Sequence, residues 1–232
     1  MVYVTSDLHG YPLEKFIALL EKANFSSDDY CFILGDVIDR GDHGAEILKW
    51  LLTQSNVQLL MGNHEAMMLS CRFLFNEVTE TSVERITGDD MTSLSMWTRN
   101  GGQKTIDGLK RLDRDTLRDI IEYLEDAPLY ETVSAGGRDF LLTHGGLGNF
   151  RPERKLSEYY PDEFIWNRPS PDVRYRDDIV TIFGHTPTHF LSKDHRGRML
   201  VTDTWIDIDT GAACGLSPML LRLDDLTPFY IE

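Results

Sequence analysis

Five short clusters of this chain gather Asp, Asn and His side chains. They are Asp7-Leu8-His9, Gly35-Asp36-Val37-Ile38-Asp39-Arg40-Gly41, Gly62-Asn63-His64-Glu65, His144-Gly145-Gly146 and Gly184-His185-Thr186-Pro187. Asp7 and His9 are two apart on an extended segment, so they point the same way and can share one cation. Asp36 has two carboxylate oxygens and can bridge two cations. Asn63 offers a neutral carbonyl oxygen, and His144 and His185 offer imidazole nitrogens. Mixed N and O donors without thiolate suit manganese, iron or zinc. Two such ions about 3.5–4 Å apart hold a hydroxide near neutral pH and clamp a phosphoryl group. Each cluster alone has a plainer reading: Asp-x-His pairs arise by chance, Gly-Asn-His-Glu fits a turn with a helix start, and His-Gly-Gly fits a turn. Their joint occurrence points to a dinuclear metal centre.

Each cluster follows a strand-like apolar run. Residues 2–4 form a short β-rich run that stops at Asp7. Pro12 fits the first turn of a helix, and Leu13, Phe16, Ile17 and Leu20 recur at helical spacing. Residues 30–34 are continuously apolar, as in a strand buried on both faces. A helix over 45–52 and a strand over 57–61 complete a β-α-β-α-β rhythm. Open α/β sheets place their sites at the carboxyl ends of strands. Residues 66–127 change to helical character and read as an inserted helical cap. Beyond it, strands at 129–133 and 140–143 form a hairpin about Gly136-Gly137. Further strands at 179–183, 199–202 and 219–223 complete a second sheet. The expected fold class is α/β (α+β): two mixed β-sheets packed as a sandwich, flanked by helices, within a single domain over 1–232.

The bulk composition narrows the function. Hydrophobic residues make up 41% and charged residues 26%, which is enough for a sizeable core. Asp and Glu outnumber Lys and Arg by 38 to 23, giving a formal charge of -15. A nucleic-acid partner would need a basic face, so none is expected. Cys31, Cys71 and Cys214 make no Cys-x-x-Cys pair and imply a reducing compartment. The first residues lack a basic-then-apolar leader pattern. No apolar run approaches the roughly 20 residues of a membrane span. A cytoplasmic location without membrane association is expected, in which the sequon Asn24-Phe25-Ser26 would go unused.

From residue 5 to about residue 215, these motifs resemble the calcineurin-like metallophosphoesterases. Gly-Asp-Val-Ile-Asp-Arg-Gly with Gly-Asn-His-Glu is similar, more narrowly, to the phosphoprotein phosphatase group and its compact bacterial and phage members. The resemblance implies that Asp7 and His9 bind one metal, that Asp36 bridges, and that Asn63, His144 and His185 complete the second. It implies two divalent ions, Mn2+ first with iron or zinc as alternatives. His64 would be the general acid, with Asp39 paired to it and raising its pKa. Arg40 would hold phosphate oxygens. A second arginine often follows a Trp in the group, and Phe164-Ile165-Trp166-Asn167-Arg168 makes Arg168 the candidate.

The activity implied is phosphomonoester hydrolysis by in-line attack of hydroxide, first of all on phosphoserine or phosphothreonine, with phosphotyrosine also in range. The alternative is hydrolysis of a dinucleoside polyphosphate such as diadenosine tetraphosphate, whose family has a segment similar to Asp209-Thr210-Gly211-Ala212. Asp39 tilts the reading to the phosphatase, because that second family tends to lack the acid. The partner is thus a phosphoprotein or a phosphorylated small molecule. A non-catalytic binding module would have lost ligands, and none is lost. No cysteine starts a Cys-x5-Arg phosphate loop. His43, His189 and His195 read as surface groups, and Glu65 as support for a helical turn. Asp203 reads as support for a histidine or as a strand-end turn, and Asp207-Ile208-Asp209 as a turn.

Overall fold

A computed structural model describes residues 1–75 and 86–231. Its first sheet has the order β10-β9-β1-β2-β3. Here β1 (Val2–Thr5), β2 (Tyr30–Ile33) and β3 (Val57–Leu59) run parallel, while β9 (Met219–Arg222) and β10 (Thr227–Tyr230) join antiparallel. The second sheet has the order β4-β5-β6-β8-β7. Its members are β4 (Tyr130–Ala135), β5 (Arg138–Thr143), β6 (Val180–Phe183), β7 (Leu200–Val201) and β8 (Trp205–Asp207). β5, β6 and β8 are parallel, and β4 and β7 are antiparallel to their neighbours. Both sheets are mixed, as expected from the sequence.

Side chains alternate across a strand, and this builds three cores. Val4, Phe32 and Leu221 of the first sheet meet Phe140, Leu142, Ile182 and Ile206 of the second in a core between the sheets. The opposite face of the first sheet carries Tyr3, Cys31 and Ile33. Helices α1 (Leu13–Lys22), α2 (Gly44–Leu51), α3 (Asn63–Ser70), α4 (Gly88–Arg99), α5 (Gln103–Leu109) and α6 (Arg114–Glu125) pack into that cluster. They do so through Phe16, Leu48, Met67, Trp97, Leu109 and Ile120. The outer face of the second sheet presents Leu141, Phe183 and Trp205 to the long connection after β5. Within that connection α7 (Pro161–Ile165) supplies Phe164, and a one-turn α8 (Thr188–Leu191) follows His185.

Helices α4 to α6 occupy much of the stretch read as a cap, and they share the core cluster of the first sheet. Residues 76–85 of that stretch lie outside the described residues. Capping explains where two of these helices begin. Thr87 Oγ1 accepts the Asp90 N–H at 3.1 Å, and Asp113 Oδ1 accepts the Thr116 N–H at 2.9 Å.

The structure corrects several local readings. Asp207 ends strand β8 and is fully buried, so it is no turn residue. The acid masks a run whose neighbours Trp205, Ile206 and Ile208 all enter cores. Burial, followed by the charge of Asp209, pushes the Asp207 carboxyl well above the usual carboxylate range. The strand read over 199–202 is only Leu200–Val201, and β10 follows a turn that the apolar pattern did not signal. The strand read over 219–223 as part of the second sheet is β9, which pairs antiparallel with β1 in the first sheet, because an apolar run does not record which strand it will pair with. His189 and His195 are half-buried rather than on the surface. His43 is half-exposed and pairs with Glu46 at 2.8 Å. Asp203 is exposed and faces Arg174 at 3.4 Å, so it supports no histidine of the site. Among the described residues, no helix is long and apolar enough to cross a membrane.

Candidate metal centre

The expected ligands converge because β1, β2, β3, β5 and β6 all end at one edge of the sandwich. The chain turns sharply there. Asp7, His9, Asp36, Asp39, Arg40 and His185 all have positive φ, between 44° and 69°. That region is uncommon for residues other than glycine, and such strain persists where the surroundings over-determine it. The first two loops are laced together by backbone bonds: Asp7 N–H to Gly35 O at 3.1 Å and His9 N–H to Asp36 O at 2.8 Å. At Gly184 a side chain is excluded, because a Cβ there would collide with Ser6 Oγ and Asp7 Oδ2.

Asp36 is the hub. Its Oδ1 accepts the His64 N–H at 3.0 Å. Its Oδ2 lies 3.4 Å from His144 Nε2, 3.6 Å from His9 Nε2 and 3.8 Å from His64 Nε2. Asp7 Oδ1 is 3.7 Å from His9 Nε2, while Asp7 Oδ2 accepts the His185 N–H at 2.8 Å. His144 Nε2 is 2.9 Å from Asn63 Oδ1 and 3.2 Å from His185 Nδ1. All six candidate ligands are buried. The structure brings the six expected ligands together. Two groups that share Asp36 have donor atoms close enough to hold an ion, His9 with His64 and His144 with His185. Asp7 and Asn63 border them, and His64, expected as the acid rather than as a ligand, falls in the first group.

The donor chemistry fits metal ions. His9 Nδ1 is 3.1 Å from Ile38 O, and His144 Nδ1 is 2.6 Å from Leu34 O. Each ring thereby donates its Nδ1–H to a carbonyl and keeps an Nε2 lone pair for the centre, the usual second partner of a ligating histidine. The His144 Nε2 lone pair then faces Asn63 Oδ1, Asp36 Oδ2 and His185 Nδ1, a concentration of acceptors that calls for a cation. His185 Nε2 is buried without a hydrogen-bond partner. The electrostatics favour positive charge at the same point, which a proton on His144 supplies when no ion is bound. Burial pushes the Asp36 carboxyl up, but the His144, His64 and His9 rings hold it well below the usual range. Burial disfavours charge on His144, yet Asp36 carries it up to about 10. Burial, then the neighbouring His144, depresses His185 to about 3.

His64 lies beside this group in a different setting. Its Nδ1 meets Asp39 Oδ2 at 2.5 Å and its Nε2 faces Arg40 Nη2 at 3.1 Å. Burial lowers its pKa, but Asp36 and then the Asp39 bond raise it further, for a net rise. Arg40 also reaches His9 Nε2 at 3.1 Å. Arg168 approaches from the second sheet, donating to His185 O at 3.3 Å and Thr186 Oγ1 at 3.2 Å. Both arginines are exposed and so accessible to a ligand.

Sequence reasoning undersold Glu65 and missed two residues. Glu65 is fully buried and accepts the N–H groups of Asp36 at 2.7 Å, Val37 at 2.9 Å and Gly62 at 3.1 Å. It clamps two ligand loops to each other besides starting α3. Burial and the Asp36 charge push its carboxyl up to about 7, against the pull of those donors. Trp97 and Thr105, from α4 and α5, bond Asp39 directly. Trp97 opens the run Trp97-Thr98-Arg99-Asn100-Gly101-Gly102, but no local pattern links it to a loop 58 residues earlier.

A family model for calcineurin-like phosphoesterases matches residues 1–204. The chain belongs to the calcineurin-like phosphoesterase family. Among curated proteins, it is 30% identical over 148 residues to the symmetrical bis(5'-nucleosyl)-tetraphosphatase of Acidovorax ebreus (strain TPSY), covering 63% of this chain and 44% of that protein. It is 25% identical over 195 residues to the protein of the same name from Actinobacillus pleuropneumoniae serotype 3 (strain JL03), covering 82% of this chain and 60% of that one. The chain thus spans about half the length of these relatives. A solved structure assigned provisionally as a diadenosine tetraphosphatase shares the fold, with TM-score 0.65, 16% identity, and coverage of 99% of this chain and 92% of that one. A protein serine/threonine phosphatase from Saccharomyces cerevisiae shares it with TM-score 0.57, 15% identity, and coverage of 100% and 80%.

Proposed function

We propose that this phosphoesterase hydrolyses bis(5'-nucleosyl) tetraphosphates, with Asp7, His9, Asp36, Asn63, His144 and His185 as the ligands of two divalent ions. The observation that carries the substrate reading is the shared name of the curated relatives, symmetrical bis(5'-nucleosyl)-tetraphosphatase. This reverses the order expected from the sequence, which set a protein phosphatase first. The geometry supports an extended anion. Arg40 and Arg168 enter from different sheets, one against His9 and His64, the other against His185 and Thr186. A polyphosphate chain laid across the Asp36 hub would meet one guanidinium on each side.

Each group then has a task. A pair of divalent ions, when bound, acidifies water and neutralises phosphoryl charge, and the donor set suits manganese, iron or zinc. Arg40 and Arg168 hold phosphoryl oxygens. His64 presents Nε2 to the leaving oxygen and gives it a proton, while Asp39 holds Nδ1. Symmetrical cleavage adds one water across the central P–O–P linkage and releases two nucleoside diphosphates. A cytoplasmic setting, where such nucleotides occur, belongs to the same proposal.

The Asp39–His64 pair favours a second reading, a phosphoserine or phosphothreonine phosphatase. A departing alkoxide needs a proton far more than a departing phosphate does. The deciding experiment loads the protein with manganese and compares ADP formation from diadenosine tetraphosphate with phosphate release from phosphopeptides. Asp36→Asn serves as the blank. Faster turnover of the dinucleotide is expected. Faster turnover of the peptides would restore the phosphatase.

A further inference from the structure

Asp39 joins two parts of the chain that sequence reading treats separately. It is 0% exposed, and its carboxylate accepts three hydrogen bonds. His64 Nδ1 at 2.5 Å and Trp97 Nε1 at 2.8 Å reach Oδ2, and Thr105 Oγ1 at 2.6 Å reaches Oδ1. The Asp39 N–H donates back to Thr105 Oγ1 at 2.9 Å. A hydroxyl has a single proton. With its oxygen engaged by the Asp39 N–H, the Thr105 hydroxyl directs that proton at the carboxylate. Trp97 and Thr105 are themselves almost wholly buried, at 0% and 2% exposed. Such burial shields these bonds from bulk solvent, and a buried carboxylate without them would be costly.

The same helical segment also holds the backbone. Asp39 and Arg40 are consecutive residues at φ 69° and 67°. The Arg40 N–H donates to Gly101 O at 3.2 Å. Gly101, at φ 102°, lies so close that a Cβ would stand 2.8 Å from Arg40 Cγ. The turn between α4 and α5 therefore presses on the loop that carries both the His64 partner and one arginine.

We propose that Trp97 and Thr105 are positioning residues: they fix Asp39, and through it the His64 ring, so that Nδ1–H points at Asp39 and Nε2 points at the substrate. The helical segment is then part of the proton-delivery apparatus rather than a cover alone. This positioning matters for turnover only if His64 is the proton donor proposed above.

The test is 15N-histidine NMR of the full chain, with the His64 signal identified by its loss in His64→Asn. A single downfield Nδ1–H resonance is expected in the parent protein and in Thr105→Ser, which keeps the hydroxyl. Thr105→Val keeps the shape but not the hydroxyl, and it should lose or shift that resonance at unchanged far-UV circular dichroism. Trp97→Phe should do the same; should it fail to fold, the Val and Ser pair decides. An unchanged resonance in Thr105→Val, or equal loss in Val and Ser, overturns the proposal. With manganese, Thr105→Val should slow turnover of phenyl phosphate about tenfold and of nitrophenyl phosphate less than about twofold, at unchanged KM. Equal slowing of both by Thr105→Val, where His64→Asn discriminates between them, would sink the positioning role. Equal slowing by His64→Asn itself would instead remove the donor role of His64, while the resonance reports on Trp97 and Thr105 independently.

Discussion

The two sheets hold their shares of the centre in different ways. On the first, Asp7, Asp36, Asn63 and His64 sit in a buried network of carboxylates and N–H donors, with Glu65 clamping two loops and Asp39 gripped from α4 and α5. On the second, His144 is oriented by one carbonyl, Leu34 O, and Arg168 rides on a long connection and stays exposed. The first side carries the negative charge, where a misplaced carboxylate costs most. The second carries two imidazole rings and a guanidinium that can follow its ligand. The contrast implies a rigid half that sets chemistry and a more adaptable half that sets affinity.

The largest effect expected is at the hub. Asp36→Asn should reduce turnover by roughly 10³ or more and lower bound metal measured by elemental analysis. Normal turnover would remove the bridging role and, with it, the idea of a controlling first half. Next comes the clamp. Glu65→Gln turns an amide N–H₂ toward backbone donors and should cost about 1–3 kcal/mol in urea unfolding. Unchanged stability would show that the ligand loops hold themselves. On the adaptable side, Arg168→Ala should raise KM for diadenosine tetraphosphate about tenfold, close to 1.4 kcal/mol, with a much smaller change in kcat. A fall in kcat at constant KM would place Arg168 on the chemical side of the comparison.

The smallest effect concerns the connection that leads to Arg168. Glu163 accepts from Arg154 at 2.6 and 2.8 Å, from Asn149 at 2.8 Å and from the Tyr160 N–H at 2.9 Å. Arg154, then Asn149 and the Tyr160 N–H, hold its carboxyl down to about 2 from an ordinary 4.5. A depressed carboxylate stabilises the fold above the unfolded value and ceases to do so as pH falls through the folded one. Glu163→Gln should therefore lower the melting temperature slightly at pH 7, by an amount that vanishes between about 4.5 and about 2. A pH-independent difference would mean that shape, not charge, secures this connection.

Much of the site was legible from one dimension because its ligands are punctuation. Each candidate metal ligand lies within six residues after a strand, where an apolar run gives way to Gly, Asp, Asn or His. The apolar runs also announced most of the strands, though not that 219–223 would join the first sheet rather than the second. They failed where an acid interrupted the pattern, at Asp207 in β8, and where β10 placed Pro228 on an edge. Substrate choice lay further out of reach, since Asp39 argued for one reading and the curated relatives support the other.

By itself the sequence determined the donor types, their order, and the strand ends on which they sit, because periodicity and turn chemistry are local. Only the tertiary structure decided which groups support them. The bonds from Trp97 and Thr105 to Asp39 span 58 and 66 residues, and Glu65 reaches back 29 and 28 residues to Asp36 and Val37. A hydrogen bond needs two atoms within about 3 Å, and no local pattern records which distant segments packing will bring that close.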